Sequence, residues 1–235
     1  ILLLLIVIAI AFLSKETNFN NVIINKVNVN EDSSSVQEKL NKYPKAIELG
    51  NIAGYLNTDK ITVQENIGKK VILIDFWTYS CINCQRTFPY LNSWWEKYKD
   101  KGLLIIGVHT PEFEFEKDYD NVKNAIGKYN IKYPVVQDNN YATWNSYKNR
   151  FWPHKYLIDI DGFIVYDHIG EGSYEETEKK IQELLEERNK VLNEKELVDI
   201  ETTELINNPD FLNIKTPELY FGYDYYRGQL GNEEK

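Results

Sequence analysis

The 235-residue sequence has two cysteines and no methionine. Two cysteines exclude a disulfide-stapled secreted scaffold, which needs several pairs spread along the chain. Cys81 and Cys84 are separated by only two residues, Ile82 and Asn83. They read as a redox couple or as half of a metal site, not as a staple. Basic residues are also scarce, with 27 Lys and Arg against 36 Asp and Glu and a formal charge of −9. That balance argues against a nucleic-acid partner, whose phosphates need a concentrated basic face. No glycine-rich dinucleotide fingerprint occurs, so no organic cofactor is expected. No internal repeat is apparent. Without a methionine at position 1, the natural sequence is expected to continue upstream.

What is present can build a core: 43% of residues are apolar and 14% aromatic. The length suits one ordinary domain with attached segments. Residues 1–13 (ILLLLIVIAIAFL) are an unbroken apolar run followed by Ser14, Lys15 and Glu16. Its length resembles a signal-peptide core, but Ala9 and Ala11 lie inside the run and no good cleavage pattern follows. An uncleaved membrane anchor is the favoured reading over a cleaved signal. Either route places the remaining chain outside the cytoplasm, anchored or secreted. Residues 14–43 are rich in Asn, Ser, Lys and Glu without lasting periodicity and read as a polar linker.

The central region reads as α/β. Residues 71–77 (VILIDFW) and 103–109 (LLIIGVH) are apolar on both faces, as buried strands of a parallel sheet are. A helical pattern from Cys81 to Lys101, closed by Gly102, joins them into a βαβ unit. A further helix is expected over 117–129, a short strand over 133–136 and a short helix over 141–147. Strands over 155–159 and 163–167 flank Asp161-Gly162, a hairpin turn signal. The last helix opens at Ser173 with a capping-box pattern and carries Tyr174, Thr177, Ile181, Leu184 and Leu185 as its buried stripe.

Cys81-Ile82-Asn83-Cys84 stands where a buried strand passes into a helix. There the first sulfur meets the unpaired amides and positive dipole end that stabilise a thiolate. The second sulfur lies one turn further in, more shielded, where it can resolve a mixed disulfide. Metal binding is the rival. Structural zinc wants four ligands, and only His109, His154 and His168 are available besides the thiols. Copper needs fewer, so a copper-delivery module using both thiolates and His154 is one alternative. A redox-silent anchored binding domain is another.

The segment from Asp75 to Cys84 (DFWTYSCINC) closely resembles the active-site segment of TlpA/DipZ-like thioredoxin-family proteins. So do Tyr55-Leu56-Asn57, His109-Thr110-Pro111-Glu112-Phe113, Tyr141-Ala142-Thr143-Trp144 and residues 152–159 (WPHKYLID), in the same order. This resemblance implies a thioredoxin-like three-layer α/β/α sandwich with a central mixed sheet over residues 44–188. It implies a thiol–disulfide oxidoreductase, more a reductant than an oxidant. Its substrates would be proteins outside the cytoplasm, and a membrane electron donor or acceptor would complete the relay. Cys81 matches the attacking thiol, Cys84 the resolving thiol and Asp75 the buried acid that exchanges a proton with it. Pro153 matches the cis-proline facing the sulfurs, Trp152 belongs to the docking surface, and Pro89 matches the proline inside the active-site helix. Glu112 and Tyr79 are candidate modulators. Residues 189–235 form an acidic and then aromatic tail, within which residues 216–223 (TPELYFGY) resemble the segment that leads into a further module in DipZ-like proteins.

Overall fold

The computed structural model describes residues 32–195, 197–199 and 201–204. The apolar run at 1–13, the linker as far as residue 31 and the tail from residue 205 lie outside the described residues. Among those described, no helix is long and apolar enough to cross a membrane.

Both apolar runs form central strands. β2 (Val71–Trp77) and β3 (Leu103–His109) pair in parallel, Val71 opposite Leu103 through to Trp77 opposite His109, with every residue of both strands buried. Between them runs α2 (Ile82–Tyr98), which tightens into a 3-10 turn over Lys99–Lys101 and stops at Gly102 with φ 106°. β4 (Val135–Gln137) adds in parallel to β3, and β1 (Gly54–Leu56) closes that edge antiparallel to β4. On the other side β5 (His154–Ile158) lies antiparallel to β2, and β6 (Ile164–Ile169) returns antiparallel to β5. The expected turn joins β5 to β6. Gly162 takes φ 84°, and the Asp159 carboxylate accepts from the Asp161 and Phe163 amides at 3.1 and 2.8 Å. The six strands follow the order β1-β4-β3-β2-β5-β6 in one mixed sheet.

The two-residue period of the strands divides the core. Val71, Leu73 and Trp77 face the helical layer, with Phe88, Leu91, Trp94 and Tyr98 of α2. Two more helices complete that layer: α3 (Tyr119–Lys128) through Val122 and Ile126, and a long C-terminal helix (Tyr174–Leu192) through Ile181, Leu184 and Leu185. Ile72, Ile74 and Phe76 face the other way. The layer there is thinner than a full α/β/α sandwich. Among the described residues it carries the five-residue α4 (Ala142–Ser146), helped by a 3-10 turn at Gln64–Asn66 and extended loop. Aromatic bulk substitutes for helix: Trp144, Tyr147 and Tyr156 set their rings edge-on around Phe76 at 5.5–5.8 Å.

Two local expectations fail. The C-terminal helix, α5, starts at Tyr174 as foreseen, but Ser173 makes no side-chain cap bond. It adopts φ 44°, so no capping box forms. Within the segment read as linker, residues 32–42 form α1 (Asp32–Lys42). The Lys39 ammonium holds this helix on the domain, contacting Asp159, Asp161 and Glu187 at 2.7, 2.6 and 2.5 Å.

Candidate active site

Cys81 is the N-cap residue of α2. Its backbone stays extended (φ −69°, ψ 114°) while the chain turns into the helix, and its sulfur accepts from the Cys84 amide at 3.4 Å. On the opposite side the thiol donates to the Trp152 carbonyl at 3.7 Å. Cys81 is half-buried, Cys84 is fully buried against the sheet, and both thiols are free. Their acidities diverge. Hydrogen bonding from the Cys84 thiol, with the Cys84 and Asn83 amides, holds the Cys81 thiol below its ordinary value, against partial burial and the Glu112 charge. Burial pushes the Cys84 thiol well up, and the neighbouring Cys81 adds to this. One sulfur is thus set to ionise first, and the other to keep its proton until a base removes it.

Beneath Cys84 lies a buried polar cluster. Asp75, on β2, is fully buried, and among the described residues neither carboxylate oxygen has a hydrogen-bond partner. Desolvation raises its pKa to about 7, with a nearby ammonium opposing the rise. That ammonium belongs to Lys155, directly opposite Asp75 in the β2–β5 register, equally buried, with Nζ 4.0 Å from the carboxylate. Burial lowers the Lys155 pKa in turn. The Tyr133 hydroxyl is also buried, has no hydrogen-bond partner among the described residues, and lies within electrostatic reach of both Asp75 and Cys84. Gly107, paired with Asp75, makes room for this convergence. A Cβ there would meet Trp77 Nε1 at 2.8 Å and the Tyr133 ring at 3.1 Å.

The rim comes from three loops. The Trp152–Pro153 bond is cis, Pro153 is buried, and the half-buried Trp152 ring packs 4.2 Å from Trp144 and donates to the Thr110 carbonyl at 3.0 Å. Tyr79 stacks on His109 at 5.7 Å and donates to the Phe115 carbonyl at 3.2 Å. Of the three alternating glutamates, Glu112 is exposed and Glu116 is fully buried. Glu116 accepts from Ser80 Oγ at 2.6 Å, the Ser80 amide at 3.3 Å, and the Glu112 and Phe113 amides at 2.6 and 3.0 Å. It therefore ties the loop after β3 to the residue preceding Cys81. Burial opposes its charge, but the Ser80 and Thr78 hydroxyls and these amides hold its pKa below the usual carboxylate value.

His109 contacts Thr78 and Tyr79, and His168 contacts the Glu171 carbonyl. His109 is buried edge-on to Trp77, and burial lowers its pKa to about 4. His154 pairs with Phe76, so its ring lies on the opposite sheet face from Cys84. Both its ring nitrogens are engaged, Nδ1 by Asn149 (2.6 Å) and Tyr156 (3.0 Å), Nε2 by Asp167 (2.8 Å). That arrangement removes the ligand the copper reading needs. The sequence reading missed Lys155, Tyr133 and Glu116. A lysine inside an otherwise apolar strand was the available signal for the first; spacing distinguishes neither of the others.

A βαβ-centred mixed sheet, a thiol at the N-terminus of the crossover helix, a buried partner thiol and a cis-proline define a thioredoxin-fold protein with a paired-thiol site. A redoxin family profile matches residues 41–185, and the chain belongs to that family as a TlpA/DipZ-like member. It is 44% identical over 181 residues to protein DipZ of Mycobacterium tuberculosis, covering 75% of this chain and 25% of DipZ. The chain thus spans about a quarter of that relative. It is 35% identical over 129 residues to thiol-disulfide oxidoreductase ResA of Bacillus cereus, covering 55% of this chain and 71% of ResA. A solved thioredoxin-like protein in its oxidized form superposes with TM-score 0.57 at 28% identity, over 62% of this chain and 97% of that one.

Proposed function

We propose that this protein reduces disulfides of protein substrates outside the cytoplasm through Cys81 and Cys84. The observation that carries the reading is the opposed acidity of the two thiols, one at a helix N-terminus and one buried over Asp75. The names of its relatives support it: ResA is a thiol-disulfide oxidoreductase.

The Cys81 thiolate attacks one sulfur of a substrate disulfide. A Cys81–substrate bond forms, the substrate S–S bond breaks, and the other substrate sulfur leaves as a thiolate. Cys84 then loses its proton to the Asp75 carboxylate and attacks the Cys81 sulfur. The Cys81–Cys84 bond forms, the second substrate sulfur leaves, and two electrons have passed from protein to substrate. A carboxyl with pKa about 7 can take that proton and return it near neutrality. Lys155 limits how far the carboxyl pKa rises. The backbone at Trp152–Pro153 would run beside the substrate segment, and Tyr79 and Glu112 would tune access and potential at the rim. A dithiol donor, in our reading a membrane protein reached by the anchored chain, restores the reduced pair.

The test is equilibration in glutathione and dithiothreitol buffers, with free thiols counted by alkylation and mass. A reversible two-electron transition is expected, with a midpoint near −270 mV for a reductant; a midpoint near −120 mV would make it an oxidant. Thiols that never pair would end the proposal.

A further inference from the structure

The loop from β3 to α3 carries Glu112-Phe113-Glu114-Phe115-Glu116, and of these five residues only Glu116 is buried. Glu116 turns inward and is fully buried. Phe113 and Phe115 turn outward, 45% and 55% exposed, with rings stacked at 5.4 Å and 8°. Phe115 also meets Tyr79 at 6.2 Å, two residues before Cys81. Ile82, next to the reactive thiol, is 54% exposed.

Scattered exposed apolar side chains are ordinary. This group differs because it is held in place and adjoins the reactive sulfur. The Glu116 carboxylate fixes the loop backbone at Glu112, Phe113 and Ser80. The Asn121 side chain and Tyr79 hydroxyl both donate to the Phe115 carbonyl, at 3.0 and 3.2 Å. The two rings are therefore presented to solvent already ordered, so a partner covering them would face little further loss of side-chain freedom.

Charge identifies the rest of the partner. Among the described residues Glu112 makes no ion pair. Partial desolvation and the adjacent Glu116 carboxylate raise its pKa, and its charge also opposes the Cys81 thiolate. A cation brought by the partner would relieve both conflicts at once.

We infer that the Phe113–Phe115 stack, with Ile82 and Glu112, is the docking surface for the substrate polypeptide, and that it selects cysteines flanked by an aromatic residue and a basic residue. This rests on the disulfide exchange proposed above, because the mixed disulfide at Cys81 is what brings the partner's flanking residues onto the rim.

The test uses the full prereduced chain in single turnover, quenched by alkylation and read by mass. Three disulfides serve as probes: the glutathione mixed disulfides of Gly-Lys-Cys-Phe-Gly and Gly-Glu-Cys-Gly-Gly, and hydroxyethyl disulfide. Each rate constant is divided by that of free dithiothreitol with the same probe, which removes intrinsic reactivity. The first peptide is expected to react at least tenfold faster than the second. The double variant Phe113→Ser/Phe115→Ser should lose most of that preference and keep the hydroxyethyl disulfide rate, which also reports an intact fold. Equal peptide rates in the wild type, or a preference that survives in the double variant, would overturn the inference and leave the redox reading standing. Failure to reduce hydroxyethyl disulfide would overturn both.

Discussion

Asp75→Asn isolates the cost of keeping a carboxylate under the active-site helix. The native carboxyl is fully buried, neither oxygen has a hydrogen-bond partner among the described residues, and the Lys155 ammonium lies 4.0 Å away. Raising its pKa from the ordinary 3.8 to about 7 corresponds to about 4 kcal/mol, at about 1.4 kcal/mol per pH unit. The sign follows from proton counting. The folded pKa exceeds the unfolded one, so between pH 4 and 7 the native state holds the proton more often than the unfolded chain does. Stability therefore falls as pH rises through that window, and the full cost is present above pH 7. Asparagine does not titrate. The stability of the variant relative to wild type should increase by up to about 4 kcal/mol between pH 4 and pH 8, with little change beyond. Urea unfolding of both reduced proteins at pH 4, 5, 6, 7 and 8 measures this directly. Parallel stability curves would refute the argument. They would mean that the carboxylate is solvated or paired in the native state and that the proposed proton acceptor is an ordinary acid. The same variant should form the mixed disulfide at the wild-type rate and resolve it more slowly at pH 7.

Three other substitutions examine the supports around the site. Glu116→Ala removes the acceptor of four hydrogen bonds and should cost about 3 kcal/mol in urea unfolding. Because the folded pKa of this carboxyl is depressed, its contribution is present above the ordinary carboxylate range and should fade as pH falls through the folded value. Lys39→Ala leaves the buried Asp159 without its cation and should cost about 2 kcal/mol, with faster amide exchange across α1. Gly107→Ala places a methyl group 2.8 Å from Trp77 Nε1 and 3.1 Å from the Tyr133 ring. It should destabilise by about 1–3 kcal/mol, seen as a lower thermal midpoint.

Much of this protein follows from short-range pattern alone. Seven consecutive buried positions in β2 and again in β3 need residues apolar on both faces, and the sequence has them. Two cysteines at a strand-to-helix junction require only local geometry to place one sulfur at the helix start and the other a turn inside. The Asp161-Gly162 turn is likewise a local event, since Gly162 supplies the positive φ. The residues that condition those sulfurs are a different matter. Lys155 reaches Asp75 only because β5 pairs antiparallel with β2 in one register, and shifting that register by one residue would turn the lysine to the other face. Tyr133 enters through the loop before β4, and Glu116 is separated from its near-equivalents Glu112 and Glu114 only by its burial in the folded loop. His154 lies one residue from Lys155, yet the pleat sends it to the opposite face and away from the thiols. The sequence by itself determined the two central strands, the crossover helix and the reactive pair, because these depend on neighbours along the chain. Tertiary structure alone decided which charges face the buried thiol, because strand pairing and burial depend on residues far apart in the chain.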